Sequence, residues 1–210
     1  MVGTIGLAGS KARAQGTWGR WWLRLGSTHI LAAMTAGALA GAVVAIAGGL
    51  LRALLPGGHS IQVGIPVLAA GVILLFAVFE VAGVPAKYLA RARQVPMSWK
   101  QIFPAPMSSA LYGAVLGFGF LSTVYSWSFF ALMTAVFLRG SVAAGLAAGA
   151  AFGLGRSLPV IATSSVPGTE KADSLADRAA AFFARERVIS RGSGALLIVA
   201  AGAALLRWGA

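Results

Sequence analysis

Two charged side chains lie well inside apolar stretches of the sequence, Glu80 and Arg156. An ionisable group at membrane depth is costly, so it usually faces a partner or a water-filled cavity. The two residues could form a gate or a solute-binding charge pair, or an ion pair that only holds the structure together. Alternatively, each side chain extends separately to the membrane surface near the cytoplasmic end of its helix, since long side chains can keep their charged ends in water.

Hydroxyl side chains concentrate in a second region, the segment between Phe118 and Ser128. Helices that break near the middle of a membrane often carry the substrate sites of transporters, and hydroxyls can bind the backbone groups that a break frees. The same hydroxyls can instead bond back to their own helix and take no part in binding. The candidate lining of a solute path consists of Ser122, Thr123, Tyr125 and Ser126, with Glu80 and Arg156 as candidate gate residues.

The chain offers little material for catalysis. Its two histidines, His29 and His59, are expected at opposite ends of the first apolar stretch, so they cannot share a metal ion. Cysteine is absent, which excludes thiol chemistry and cysteine-ligated zinc. The sequence also lacks a phosphate-binding Walker loop, an HExxH pair and a dense acidic cluster. We therefore predict no enzymatic activity, no cofactor and no metal site.

Composition indicates the class of protein that must hold these residues. Of the 210 residues, 58% are hydrophobic and 10% are charged, whereas ordinary soluble domains carry about 25% charged residues. This excludes a disordered polymer and a water-soluble globule, and it predicts an all-α, polytopic bundle of membrane helices. Lys and Arg outnumber Asp and Glu by 17 to 5, but membrane topology explains the excess, so no nucleic-acid partner is predicted.

Five stretches approach the roughly 20 apolar residues that a helix needs to cross a bilayer. They are Thr28–Leu51, Gln62–Gly83, Ser108–Leu138, Ser141–Ala162 and Gly192–Trp208. The third stretch is too long for one straight span, so it must tilt, kink or break. The first stretch is expected to be a retained anchor and not a cleaved signal peptide.

The positive charges predict how these five spans are oriented. From the N-terminus onward, the segments before and between the spans carry four, one, four, one and five Lys or Arg residues, and the C-terminal end of the last span carries one, Arg207. Cytoplasmic segments are the basic ones, so a cytoplasmic N-terminus and an outside C-terminus are expected in the cytoplasmic (inner) membrane, whose inner leaflet is anionic. Residues 1–26 form a cytoplasmic or interfacial segment. Residues 27–210 form the five-span domain, with a cytoplasmic amphipathic helix near residues 170–190.

Small residues recur at every fourth position in three of the spans. Helices in lipid associate largely through close packing, for which small side chains are needed. The first, third and fourth spans are therefore expected at the centre of a tight bundle. The packing glycines are Gly37, Gly41 and Gly49, Gly113 and Gly117, and Gly145, Gly149 and Gly153.

The second half of the chain resembles the transmembrane domain of the cytochrome c biogenesis (CcdA/DsbD-type) family of thiol-disulfide electron carriers. Gly117-Phe-Gly-Phe-Leu-Ser-Thr123 is similar to that family's Gly-x-Gly-x-x-Pro-Cys segment. Gly153-Leu-Gly-Arg-Ser-Leu-Pro159 is similar to its next helix, and Arg191 to Leu206 is similar to its last span. The family works through paired cysteines, but Thr123 stands where one of them is expected. The resemblance therefore implies a shared scaffold without the redox function, because hydroxyls cannot form the mixed disulfide.

Two functions are compatible with these observations. The first is a non-catalytic accessory or assembly subunit of a larger membrane complex, with other membrane proteins as partners. The second is a transporter of a small solute or ion, built on a CcdA/DsbD-like scaffold that lacks the redox cysteines. The scarcity of polar groups inside the apolar stretches favours the accessory role.

Overall fold

A computed structural model describes residues 16, 18–55, 59–84, 98–120, 126–164, 192–196 and 198. Within these ranges the regular structure is helical and no strand is present, so the all-helical prediction is confirmed for this part of the chain. The six helices are α1 (Trp18–Leu54), α2 (His59–Ala82), α3 (Trp99–Ile102), α4 (Ala105–Phe118), α5 (Trp127–Arg139) and α6 (Val142–Ser164). Residues 192–196 are also helical. The predicted amphipathic helix near residues 170–190 lies outside the described residues.

Helix α1 is the longest described element, with 37 residues, and extends about 56 Å. It begins at Trp18, so residues 18–26 of the predicted N-terminal segment continue the helix of the first span. By length and composition, Gly19–Leu54 is long and apolar enough to cross a membrane. The shorter apolar helices are Val67–Ala82, Trp127–Arg139 and Val142–Leu158. In the described part of the chain these criteria single out one helix, so they do not confirm the five predicted spans.

The third apolar stretch is interrupted. Helix α4 ends at Phe118, and Gly119 follows with φ 75°, a left-handed conformation that residues with a side chain rarely adopt. Helix α5 begins only at Trp127 and ends at Gly140, which is also left-handed and whose N–H donates to the Val136 carbonyl. The stretch therefore consists of two helices of 14 and 13 residues, joined through a break, and is not one long tilted helix.

The contacts along α1 show how the other helices run. Gly113 of α4 lies against His29 and Gly117 against Ala33, so residue numbers rise together and α4 is parallel to α1. Helix α5 continues in the same direction, because Phe137 lies farther along, against Gly48. Helix α6 returns antiparallel to α1, with the backbone contacts Gly145 to Gly41, Gly149 to Gly37 and Gly153 to Ala33.

Helix α2 lies on α5 and runs antiparallel to it. Its Phe79 ring contacts Trp127, at the start of α5, and Phe76 contacts both Trp127 and Phe130. The central bundle is therefore formed by α1, α4 and α6, with α2 attached through α5. Successive long elements alternate in direction, which is the arrangement of a chain that crosses a layer repeatedly.

The packing glycines lie where two helix backbones touch. A Cβ atom at Gly37 would overlap the carbonyl oxygen of Gly149, and one at Gly41 would overlap that of Gly145. Gly113, Gly117 and Gly153 each meet a carbonyl of α1 in the same way. Gly49 is less constrained, since its Cβ would stand 3.4 Å from the Gly140 carbonyl oxygen, whereas its neighbour Gly48 would overlap the Phe137 carbonyl. The helices are thus in direct backbone contact at all of these glycines except Gly49.

Candidate functional site

The carboxylate of Glu80 lies at the break in the third apolar stretch. Glu80 is near the C-terminal end of α2, and only 5% of its surface is exposed. The Ser126 hydroxyl lies 3.2 Å from both carboxylate oxygens and donates to the carboxylate, and the backbone N–H of Ser128 donates to Oε2 at 3.1 Å. These three residues are called the Glu80 cap below. The cap thus joins α2 to the start of α5 by hydrogen bonds.

Local sequence explains why the donors face Glu80. Ser126 is the N-cap of α5: it has extended backbone angles, and its Oγ accepts the Ser128 N–H at 3.2 Å. The first amides of a helix have no partner within the helix, and serine is among the residues preferred for satisfying one of them. The Glu80 carboxylate supplies a second acceptor from another helix, and its negative charge meets the positive end of the α5 dipole.

Aromatic side chains pack beside the Glu80 cap. The Trp127 indole N–H donates to the Val84 carbonyl at 2.6 Å, just beyond the end of α2. The Trp127 ring stacks on Phe76 with centroids 5.6 Å apart and packs against Phe79 at 5.0 Å. The end of α2 and the start of α5 are therefore joined by hydrogen bonds and by ring contacts, in surroundings that exclude most water.

The predicted path residues fall into two groups. Ser122, Thr123 and Tyr125 lie outside the described residues. Ser126 is described, and its hydroxyl is engaged with Glu80 and with the start of α5. Trp127 and Ser128 are not among the residues predicted to line the path, although Ser128 ends the hydroxyl-rich segment. A serine directly before an apolar run is a helix-start signal that could have identified them.

Arg156 lies on α6, and its guanidinium carbon is 5.7 Å from the centroid of the Phe152 ring, within the range of a cation–π contact. Phe152 packs on Phe129 of α5 with centroids 4.6 Å apart. Phe129 contacts Phe130 at 5.4 Å, and Phe130 contacts Trp127 at 5.9 Å. The two charges singled out in the sequence thus stand at the two ends of one row of aromatic rings.

A second buried polar group lies between α1 and α4. His29 is 5% exposed, and its Nδ1 lies 3.2 Å from the carbonyl oxygen of Ser109. The Ser109 hydroxyl donates to the Leu25 carbonyl at 2.9 Å. His29 Nε2 is buried with no hydrogen-bond partner among the described residues. The His29 side chain therefore lies inside the interface between α1 and α4.

Among the residues whose placement is described, no group of three or more His, Cys, Asp or Glu residues is arranged to hold a metal ion. The side chain of His59 is not described. The polar groups that the structure brings together are hydrogen-bonded to one another or to the backbone, except for His29 Nε2 and the Ser128 hydroxyl.

Two proteins that share one name are similar in sequence to this chain. Methylamine utilization protein MauF of Paracoccus versutus is 33% identical over 153 residues, which cover 71% of this chain and 53% of MauF. The MauF of Methylorubrum extorquens is 33% identical over 120 residues, which cover 57% of this chain and 40% of that protein. The chain thus spans about half the length of the curated relatives it matches. No family model matches the sequence, and no solved structure matches it.

These relatives overturn one prediction. They are named as methylamine utilization proteins and not as cytochrome c biogenesis carriers, so the identification of the chain with the CcdA/DsbD-type family is wrong. The resemblance depended on short glycine- and leucine-rich segments. The structure gives those glycines another reason, since Gly117 and Gly153 lie against the α1 backbone, where no side chain fits. The similarity to MauF proteins extends over 71% of the chain and is what the comparisons establish.

Proposed function

We propose that this chain is a membrane-embedded accessory protein of methylamine utilization that performs no catalysis itself. The observation that carries the proposal is the 33% identity to two proteins named for methylamine utilization. Because the chain spans about half of those relatives, their role is extended to it here only as a proposal. A non-catalytic role accords with the sequence, which supplies neither cysteines nor a recognisable catalytic motif.

The proposed setting is the cytoplasmic (inner) membrane, crossed five times with the N-terminus inside. Support comes from the alternating directions of α1, α2, the α4–α5 pair and α6, which follow the alternation of basic and nearly uncharged connections. The face of α1 that points away from the glycine contacts exposes leucines such as Leu31, Leu39 and Leu50. Lipid is the proposed environment of this face, because an exposed apolar surface of that length is unfavourable in water.

An accessory role is favoured over solute transport by how the polar groups are used. A path through the third stretch would need free polar groups facing a cavity. Ser126 instead bonds to Glu80, which is buried beside the packed rings of Phe79 and Trp127. Backbone contact among α1, α4 and α6 leaves no space along their common axis at the glycines. The transport alternative also loses the carrier scaffold on which it was based.

The proposed partners are the anionic inner leaflet and other membrane proteins, and no nucleic acid. The basic connections would contact the lipid headgroups. Apolar faces on α1 and α2 that the described part of the chain leaves uncovered are available to lipid or to another membrane protein.

Gene deletion in the native host tests the proposal. The deletion strain is expected to grow like its parent with ammonium as nitrogen source, to fail with methylamine, and to recover when the gene is returned on a plasmid. Equal growth of both strains on methylamine would contradict the proposal.

A second measurement separates an accessory role from transport. The purified protein is reconstituted into vesicles, and uptake of radiolabelled methylamine is compared with that of protein-free vesicles. We expect no difference between the two. Uptake that depends on the protein would replace the accessory proposal by transport.

A further inference from the structure

The first backbone amides of α5 have no acceptor within their own helix. The Ser128 N–H and the Ser126 hydroxyl both find an acceptor in Glu80, which belongs to a different helix. Glu80 is 95% shielded from solvent, since its exposed fraction is 5%. Water therefore cannot readily take the place of the carboxylate. Without the carboxylate the Ser126 hydroxyl loses its described acceptor and the Ser128 N–H keeps only the Ser126 Oγ, at 3.2 Å. A buried donor that loses its acceptor is unfavourable.

The two halves of the interrupted stretch have different neighbours. Helix α4 packs against α1 through Gly113 and Gly117, and it also contacts α6. Helix α5 packs against α2 through the rings of Trp127 and Phe130, and against α1 near its far end. Gly119 separates the halves with a left-handed backbone. The start of α5 is thus attached to α2 at the position of Glu80, while its Phe129 ring also contacts Phe152 of α6 and Phe120, just beyond the end of α4.

We propose that Glu80 is a clasp: its carboxylate, supplied by α2, caps α5 from outside and holds the start of α5 against α2. Releasing the clasp separates the start of α5 from α2, while the glycine-packed core of α1, α4 and α6 stays intact. This inference concerns a conformational device in the fold and does not depend on the proposed role in methylamine utilization.

The negative charge of a carboxylate at position 80 is expected to strengthen the clasp. The positive end of the α5 dipole favours an anion at this position, and hydrogen bonds to a charged acceptor are stronger than those to a neutral one. An amide in place of the carboxylate keeps an acceptor oxygen but loses the charge. A methyl group loses both and leaves a space large enough for a small carboxylate such as formate.

The absence of cysteine makes a direct experiment available, because a single introduced thiol is the only one in the chain. Ser128→Cys places it beside the clasp, and the buried Ser128 hydroxyl has no partner among the described residues, so the exchange breaks no hydrogen bond of that side chain there. The rate of reaction with N-ethylmaleimide is measured in detergent with and without Glu80→Ala. We expect Glu80→Ala to raise the rate at least about tenfold, the factor for losing one hydrogen bond to a charged group.

Three further measurements make the result specific. Formate is expected to slow labelling of the Glu80→Ala protein toward the parent rate. Glu80→Gln is expected to give an intermediate rate that formate does not change, because the amide fills the position. A control thiol from Ala143→Cys, on the exposed face at the start of α6, is expected to react at the same rate with Glu80 or with Ala at position 80.

Each contrary result overturns the proposal. Equal labelling of Ser128→Cys with Glu80 and with Ala shows that the carboxylate does not hold α5. A parallel rise at the Ala143→Cys control shows general unfolding and not release of a clasp. If formate fails to slow labelling of the Glu80→Ala protein, or slows labelling of the Glu80→Gln protein equally, an anion at the start of α5 is not what holds this helix against α2.

Discussion

At the scale of single residues, Glu80 shows how far the sequence alone identifies a buried charge and its partners. Its type and position mark it as a costly buried charge, and the structure buries it. The Ser126 hydroxyl and the Ser128 amide donate to it, two contacts that the sequence did not predict; an ion pair with Arg156 was one of the alternatives drawn from the sequence. An amide becomes available only where a helix begins. Ser126 signals a helix start at Trp127, but Ser122 and Ser128 in the same apolar run offer the same signal, so the sequence does not single out the position.

The packing glycines permit a residue-scale prediction with a control in the same helix. Gly149 touches the α1 backbone, and its Cβ would overlap the Gly37 carbonyl, while a Cβ at Gly155 of the same helix meets nothing within 4 Å. We expect Gly149→Ala to lower the free energy of unfolding by about 1–3 kcal/mol, the usual cost of overpacking. Gly155→Ala should leave it unchanged or raise it by up to about 1 kcal/mol through helix propensity.

The measurement is unfolding of the purified variants in mixed detergent micelles, followed by circular dichroism. A Gly149→Ala protein as stable as the Gly155→Ala protein would show that α1 and α6 do not touch at this register.

At the scale of elements, the interrupted third stretch was foreseeable from length. About 31 residues of helix extend about 46 Å, well beyond an apolar layer of about 30 Å. The position of the interruption was harder to predict from the sequence, because Gly119 is one of several glycines in the region. Its φ of 75°, at the end of α4, is visible only in the structure. The spacing did not predict Gly48 as a packing glycine, because Gly48 does not follow the every-fourth-residue pattern of Gly37 and Gly41. It lies on the side of α1 that contacts α5 and not α6.

The conformation at the end of α4 leads to an element-scale prediction. Gly119 and Gly83 both end a helix with positive φ, 75° and 69°. A Cβ at Gly119 would also stand 2.7 Å from ring atoms of Phe129, whereas one at Gly83 meets nothing within 4 Å. Gly83→Ala should cost about 1–2 kcal/mol of unfolding free energy from backbone strain, and Gly119→Ala should cost about 1–3 kcal/mol more from overlap with the ring.

The comparison is made by detergent-induced unfolding of the two variants under identical conditions. Equal losses of unfolding free energy in the two variants would mean that the Phe129 ring moves aside at no energetic cost. Backbone strain alone would then account for the effect of a side chain at position 119.

At the scale of the whole molecule, two independent patterns support the same topology. One is the distribution of Lys and Arg among the connections, and the other is the direction of each helix relative to α1. The first depends on insertion into a charged, asymmetric membrane and the second on backbone packing, so neither requires the other. Both assign α1 and the α4–α5 pair to one direction and α2 and α6 to the opposite one.

Reporter fusions test this topology in cells. Alkaline phosphatase, which is active only outside the cytoplasm, is expected to be active when joined after Leu55 or after Gly140, and inactive when joined after Lys100 or after Arg187. Green fluorescent protein at the same four positions should give the reverse pattern, and equal amounts of each fusion by immunoblot serve as the control. Active phosphatase after Arg187 would contradict the proposed return of α6 to the cytoplasm. Active phosphatase after Lys100 would contradict the orientation of α2, and with it the alternation on which the five-span proposal depends.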